Sequence, residues 1–293
     1  MIPSNYIEFR KKKEIGDIVT DTFKFFRRNY KLIFKILAKT AGIPFVLFLA
    51  VQVYYTSISF SSTLFNYNDP LGSFNAPEIV ITALFMYLCL FLYLSFLFTG
   101  IMCIIESYIK NNGEIKEEEV LQNIRDKSTV TVLMGITKYL ILIIGFIFCF
   151  IPGIYLTVPM AMVFPILIFE DKGVSESLSR AFEIIKEEWW VSFIAIVLIG
   201  LLWYLISMVF SIPMIIYTWI KMFTVMQEGS FSDPSDMFDT VTIVLTIISS
   251  SMQYIVYLII PLGSALVYFN LNERKNQTGS LERINSIGRS DEV

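Results

Sequence analysis

Ser249, Ser250, Ser251 and Gln253 crowd hydroxyl and amide groups into five residues of an otherwise apolar run, and Gln52 places a second amide inside another. Inside a bilayer such side chains have two uses: they hydrogen-bond neighbouring helices to each other, or they line a polar path for a solute. Counted along a helix at about 1.5 Å per residue, the serine patch falls near the bilayer midplane, where Gln52 could join it as a polar lining. Lys138 and Glu106 are ionisable groups set within apolar sequence. A charge at such a depth costs about 3 kcal/mol or more, so the two are expected either to pair or to snorkel to the interface. Glu170 and Asp171 set two carboxylates side by side, a composition suited to acid-base chemistry or to a cation. Adjacent residues on a helix diverge by about 100°, which favours a solvated helix cap over a working dyad.

Other chemistries lack their residues. The chain has no histidine, so the commonest general base and the commonest transition-metal ligand are missing. Cys89, Cys103 and Cys149 all sit in apolar runs, without the spacing of a disulfide framework or a zinc site. The sequence holds no Gly-rich phosphate loop, nucleophile elbow or nucleic-acid signature. The expectation is a non-enzymatic protein with no catalytic residues, no cofactor and no bound metal.

The elements that must position these residues follow from hydropathy. Of the 293 residues, 55% are hydrophobic and only 17% charged, against about 25% charged in soluble domains. Six apolar runs, near 38–60, 79–108, 131–151, 154–169, 191–217 and 241–269, approach or exceed the roughly 20 residues a helix needs to cross the hydrocarbon core. Lys and Arg near span ends stay cytoplasmic. Ten of them lie in or near the arm before the first run, others fall at 110–138, 170–190 and in the tail, and Lys221 alone serves the three opposite connections. With six spans, both termini are therefore expected in the cytoplasm. A re-entrant dip at 151–171 would invert this pattern, so Pro152-Gly153 reads as a tight external turn and Pro159 and Pro165 as kinks in the returning span. The polar, basic start carries no hydrophobic core of a removable signal peptide.

Before the first run, residues 14–35 ("EIGDIVTDTFKFFRRNYKLIFK") place Ile15, Ile18, Val19, Thr22, Phe26, Tyr30, Ile33 and Phe34 at helical spacing, opposite Lys24, Arg28, Lys31 and Lys35. This is the pattern of a helix lying in the membrane interface. Lys24, Arg27, Arg28 and Lys31 are the candidate contacts to lipid head groups. A similar segment, "GVSESLSRAFEIIKEEWW", precedes the fifth run with Val174, Leu178, Ala181, Phe182, Ile185 and Trp189 on one stripe, and a weaker one, "GEIKEEEVLQNIRDK", precedes the third. The expected architecture is all-α: one membrane domain over 1–275 made of three transmembrane hairpins, each preceded by an interfacial helix, and a polar tail over 276–293. In that tail Leu281, Ile284 and Ile287 can form a short apolar face for a partner.

Three stretches carry a family resemblance. Gly16-Asp17-Ile18 leading into "TFKFFRRNYKLI", the segment "IPGIYLTVPMAMVFPILIFEDKGVSESLSRAFEII" and "PLGSALVYFNLNERK" at 261–275 resemble, in order, the membrane domain attached to some bacterial glycerophosphoryl diester phosphodiesterases and its stand-alone relatives. The chain departs from it at Pro159, where several relatives carry a basic residue. The resemblance implies a bacterial cytoplasmic-membrane protein; the phosphodiesterase reaction belongs to a separate histidine-bearing barrel absent here. The leading expectation is a protein that interacts with membrane lipids or organises other envelope proteins. The alternative is a transporter or channel for a small molecule or lipid, with a midplane polar site.

Overall fold

The computed structural model describes residues 6–63, 76–228 and 239–277, and every regular element among them is an α-helix. The helices are α1 Ile15–Thr40, α2 Gly42–Thr63, α3 Ala76–Lys110, α4 Glu117–Asp126, α5 Ser128–Phe148, α6 Phe150–Phe169, α7 Val174–Ile185, α8 Trp189–Glu228, α9 Thr240–Val256 and α10 Ile259–Asn276. Five helical segments (α3, α5, α6, α8, and α9 with α10) are long and apolar enough to cross a bilayer, six if α1 with α2 is counted as one broken span. Only 17% of the most apolar window of α8 is covered by protein, so Leu201, Leu205, Val209, Ile212 and Ile216 stay exposed. Soluble proteins do not leave continuous apolar surface of this kind to water. The chain has the character of a multi-pass membrane protein. The connection at 64–75, most of the loop "QEGSFSDPSD" and the tail with Leu281, Ile284 and Ile287 lie outside the described residues.

Two compact units divide the chain. The first gathers Met1–Thr40, Ser95–Leu202 and Leu258–Val293; the second gathers Ala41–Leu94 and Trp203–Tyr257.

In the first unit α10 is a core helix, buried at all but two positions from Ile259 to Glu273. The second half of the sixth apolar run is thus wrapped in protein. α1 packs on it and on α4 and buries Ile18, Thr22, Phe25, Ile33, Ile36 and Leu37, a stripe rotated from the expected one: Tyr30 and Phe34 are exposed. The arm before α1, expected to be merely polar and basic, tucks Ile7 and Phe9 into the core. The Ile7 amide donates to the Tyr108 hydroxyl and the Lys13 amide to Asn270 Oδ1. In α7, Ser177, Ala181, Ile184 and Ile185 are buried while Phe182 is exposed, again a turned stripe.

The turn between α5 and α6 also corrects the sequence reading. Pro152 and Gly153 are not the turn but sit in the first turn of α6, and the chain reverses at Cys149, in extended conformation. Proline is tolerated there because the first helical N–H groups have no intrahelical acceptor. Close approach explains the glycines: a Cβ on Gly145 would lie 3.4 Å from the Gly153 Cα, and one on Gly153 would meet the Phe146 ring at 2.4 Å. With Lys138 over the Phe164 ring and Lys127 on the Ile168 carbonyl and Asp171, the contacts define an antiparallel pair, not a dip and return. Pro159 cannot donate to the Tyr155 carbonyl, and the Trp189 indole N–H fills that place at 3.2 Å.

In the second unit α2 runs antiparallel to both α3 (Tyr54 to Glu78, Phe45 to Tyr93) and α9 (Gln52 to Ser250, Phe48 to Tyr254). α8 runs antiparallel to α9 through Trp203 to Gln253 and Tyr217 to Asp239. The first apolar run does not begin at residue 38, since α1 continues to Thr40 and α2 starts at Gly42.

Candidate functional site

The second unit brings the expected polar residues together. Gln52 Nε2 donates to Ser250 Oγ at 3.0 Å, and Gln253 Nε2 donates to Ser211 Oγ at 2.9 Å and Ser249 Oγ at 3.2 Å. The Gln253 carbonyl accepts the Trp203 indole N–H at 3.2 Å. Ser211, one turn after Ser207 on α8, was not singled out in the sequence because an isolated serine in an apolar run carries no periodic signal. Ser251 is half-buried in the same turn of α9. Gln52 Oε1 and Ser207 Oγ are buried without a hydrogen-bond partner among the described residues. Chemically this is an interhelical amide and hydroxyl network joining α2, α8 and α9; it holds no nucleophile beside a base.

Lys138 belongs to the first unit, and neither expected arrangement occurs. It does not reach Glu106, whose Oε2 accepts from the Asn123 amide at 3.5 Å. Nor does it snorkel. The residue is 8% exposed, and its ammonium lies 4.3 Å from the Phe98 ring centroid, 5.3 Å from that of Phe164 and 5.8 Å from that of Tyr139. The helical position forces this, because Lys138 shares with Met134 and Thr131 the face of α5 turned into the protein. Cation–π contacts offset about 2 kcal/mol when desolvated, whereas burying an ion costs several kcal/mol. Among the described residues no carboxylate lies within ion-pair distance of it.

Glu170 and Asp171 diverge, though not as neighbours on a helix, since α6 ends at Phe169. Asp171, with φ at 51° just past the end of α6, pairs with Lys127 at 2.9 Å. Glu170 is no solvated cap. Its side chain is 17% exposed and meets Lys172 Nζ at 2.6 Å, Arg180 Nε at 3.4 Å and the Tyr268 hydroxyl at 3.0 Å. Arg180 also reaches Glu183 at 3.0 Å, and its hydrogen bond holds the Glu183 carboxyl below the ordinary range. This cluster ties α6, α7 and α10 together. Tyr268 and Arg180 were not singled out from sequence, since 88 residues separate them and nothing local links them.

On α1 the candidate head-group residues occupy their own sector. Successive residues advance by about 100° around a helix. The buried stripe is therefore followed by an aromatic flank, Phe23, Phe26, Tyr30 and Phe34, and then by Arg27, Lys31, Lys24 and Arg28, all four exposed. Phe26 packs edge-on against Phe34. Lys35, within the same sector, and Lys39 at its far edge reach α4, gripping Glu117 at 2.6 and 2.8 Å and holding its carboxyl below the ordinary value.

Among the described residues no group of Cys, Asp and Glu side chains is placed to hold a metal ion. No protein-family model, no curated protein and no solved structure matches the chain.

Proposed function

We propose that the protein is a six-span, non-enzymatic component of a bacterial cytoplasmic membrane that binds anionic lipid through α1 and organises lipid or other envelope proteins around itself. The observation that supports this is the sector order on α1: core stripe, an aromatic flank of half-buried Phe23 and Phe26 and exposed Tyr30 and Phe34, and exposed cations. Aromatic rings prefer the head-group level and basic residues the anionic surface just beyond it, each contributing about 1 kcal/mol. A helix fixed to a core by one stripe presents the other two sectors to the interface in a set orientation. In this reading α4 and α7 lie at the same cytoplasmic interface, the spans form three hairpins, and both termini are cytoplasmic. The resemblance to the membrane domain of glycerophosphoryl diester phosphodiesterases agrees with this arrangement, and the reaction of that family's soluble barrel forms no part of it.

The triple charge reversal Arg27→Glu, Arg28→Glu and Lys31→Glu is expected to lift α1 from the interface in vesicles containing anionic lipid. A spin label at the exposed Ala38, read by its accessibility to lipid-soluble and water-soluble relaxants, measures that depth. An unchanged depth counts against the proposal.

A second reading, a transporter or channel, draws on one feature of the second unit: Gln52 Oε1 and Ser207 Oγ are desolvated and without a hydrogen-bond partner among the described residues, and such atoms can accept a passing solute. A cysteine placed at Ser250 should then react with a membrane-impermeant thiol reagent added from one side or the other. Failure to react from both sides marks a dry helix contact instead.

A further inference from the structure

The proposed function gives no task to the reversal between α5 and α6. Ile147, Phe148, Phe150 and Ile151 flank Cys149 there and are 77%, 83%, 69% and 75% exposed, more than any other large apolar residue of these two helices. No charged residue lies between Lys138 and Glu170, and between Tyr139 and Tyr155 the thiol of Cys149 is the sole polar side-chain group. A turn that faces water is built from Gly, Asn, Asp, Ser and Pro. This one reads Ile-Phe-Cys-Phe-Ile-Pro. Its backbone leaves few groups open: the Cys149 N–H bonds the Gly145 carbonyl and the Gly153 N–H the Cys149 carbonyl, both at 3.2 Å, and Pro152 has no N–H to satisfy. The last carbonyls of α5 and the first N–H groups of α6 still lack intrahelical partners. They exclude the hydrocarbon centre, where nothing can bond them.

We propose that this tip is a lipid wedge: its large side chains lie among acyl chains while its backbone sits at the ester level, so the turn never reaches water. The occupant is argued from continuity. Leu133, Ile136, Leu140, Ile143 and Ile144 form one exposed row on α5, and at about 100° per residue Ile147 continues it. That row is turned away from the buried face carrying Thr131, Met134 and Lys138. Lipid covers such a row in a membrane protein, and the tip is its end. Exposure rises toward the reversal along both helices, from 52% at Leu140 to 83% at Phe148 and from 50% at Tyr155 to 75% at Ile151. The surface is thus a protrusion, which fluid chains envelop and a second identical protrusion does not complement. The wedge depends on acyl packing and not on head-group charge, so it does not rest on the lipid contacts of α1. The six-span reading decides only the leaflet: the 21 residues of α5, about 31 Å long, carry the tip to the far one. The stack of Trp189 on Tyr155, 5.6 Å between ring centres, ties the hairpin to the start of α8, so the leaflet is a separate outcome of the experiment.

The test reads the exposed Cys149 in the full chain, with the buried Cys89 and Cys103 replaced by alanine, in vesicles of phosphatidylcholine. A membrane-impermeant maleimide present on both sides is expected to leave the thiol unlabelled, while lipid-permeable bromobimane labels it. The attached bimane should be quenched by nitroxide lipid and not by aqueous iodide. Phe148→Asp with Phe150→Asp should raise maleimide labelling about tenfold or more, because charged side chains are driven out of the acyl region. The readings on the parent chain decide the matter whether or not that variant folds. Full maleimide labelling of the parent thiol from either side overturns the proposal. A thiol shielded from maleimide whose bimane is not quenched by nitroxide lipid also overturns it, since protein then covers the tip. Nitroxide lipid confined to one leaflet, in vesicles holding the chain in one orientation, separates the wedge from the span count. Quenching from the extracytoplasmic leaflet supports both, and quenching from the cytoplasmic leaflet supports the wedge and removes α5 and α6 from the six spans.

Discussion

Arg180→Ala is expected to cost about 3 kcal/mol of stability, the usual penalty for leaving a buried charge without its partner. The carboxylate left behind is Glu170, 17% exposed, with Lys172 on one oxygen and the Tyr268 hydroxyl on the other. Those contacts remain in the variant, so the loss should fall at the lower end of the range for broken buried pairs. Glu170→Gln tests the other side of the pair, keeping an acceptor for Tyr268 while removing the charge. Because the two side chains share one network, the double variant should lose less than the sum of the single losses, by about 1–3 kcal/mol. Thermal unfolding of the four proteins in one detergent, followed by tryptophan fluorescence, measures the coupling. Strict additivity would show that Lys172 alone neutralises Glu170 and that Arg180 contributes only packing.

That cluster also marks how far the sequence could be read. Hydropathy located the long apolar helices, because the length needed to cross a bilayer is a physical constant and the runs are long, although α8 continues to Glu228, well past the expected end at 217. The polar association of Gln52 with the serine patch was legible for a related reason: few polar groups occur at that depth, and each must find a partner. Orientation about the helix axis was less legible. In water an apolar stripe marks the core, but in a membrane lipid and core are equally apolar, so Phe26, Tyr30 and Phe34 on α1 look the same as Ile18, Phe25 and Ile33. Only the structure separates them, the first group flanking the cations and the second buried against protein. The same ambiguity hid the burial of α10 and sent Lys138 to the surface in expectation when its face is turned inward. The tucked arm left a trace, since Tyr6-Ile7-Glu8-Phe9 alternates in the manner of an extended segment with one face covered. Long-range partners such as Tyr268 for Glu170 leave none.

Gly263→Val should be among the most damaging single changes in the chain, although it adds only apolar atoms to an apolar core. Even the first added carbon, a Cβ, would lie 2.5 Å from Ile199 Cδ1, 2.9 Å from its Cγ2 and 3.0 Å from its Cγ1. Ile199 is 3% exposed and lies within α8, where a β-branched side chain has one strongly preferred χ1 rotamer and no room to swing aside. Relief therefore requires α8 and α10 to separate, and α10 is held on its other sides by α1, α6 and α7. Overpacking of this kind costs about 1–3 kcal/mol, with Gly263→Ala at the low end and valine at or above the high end. Ile199→Ala should partly rescue Gly263→Ala by vacating the contested space, a sign reversal that a merely destabilising pair would not show. Gly200 supplies the internal control. It adjoins Ile199 on the same helix, yet a Cβ there meets nothing within 4 Å, so Gly200→Ala should raise stability by about 1 kcal/mol through helix propensity. If both glycines respond alike in thermal melts, close helix contact is not what Gly263 provides.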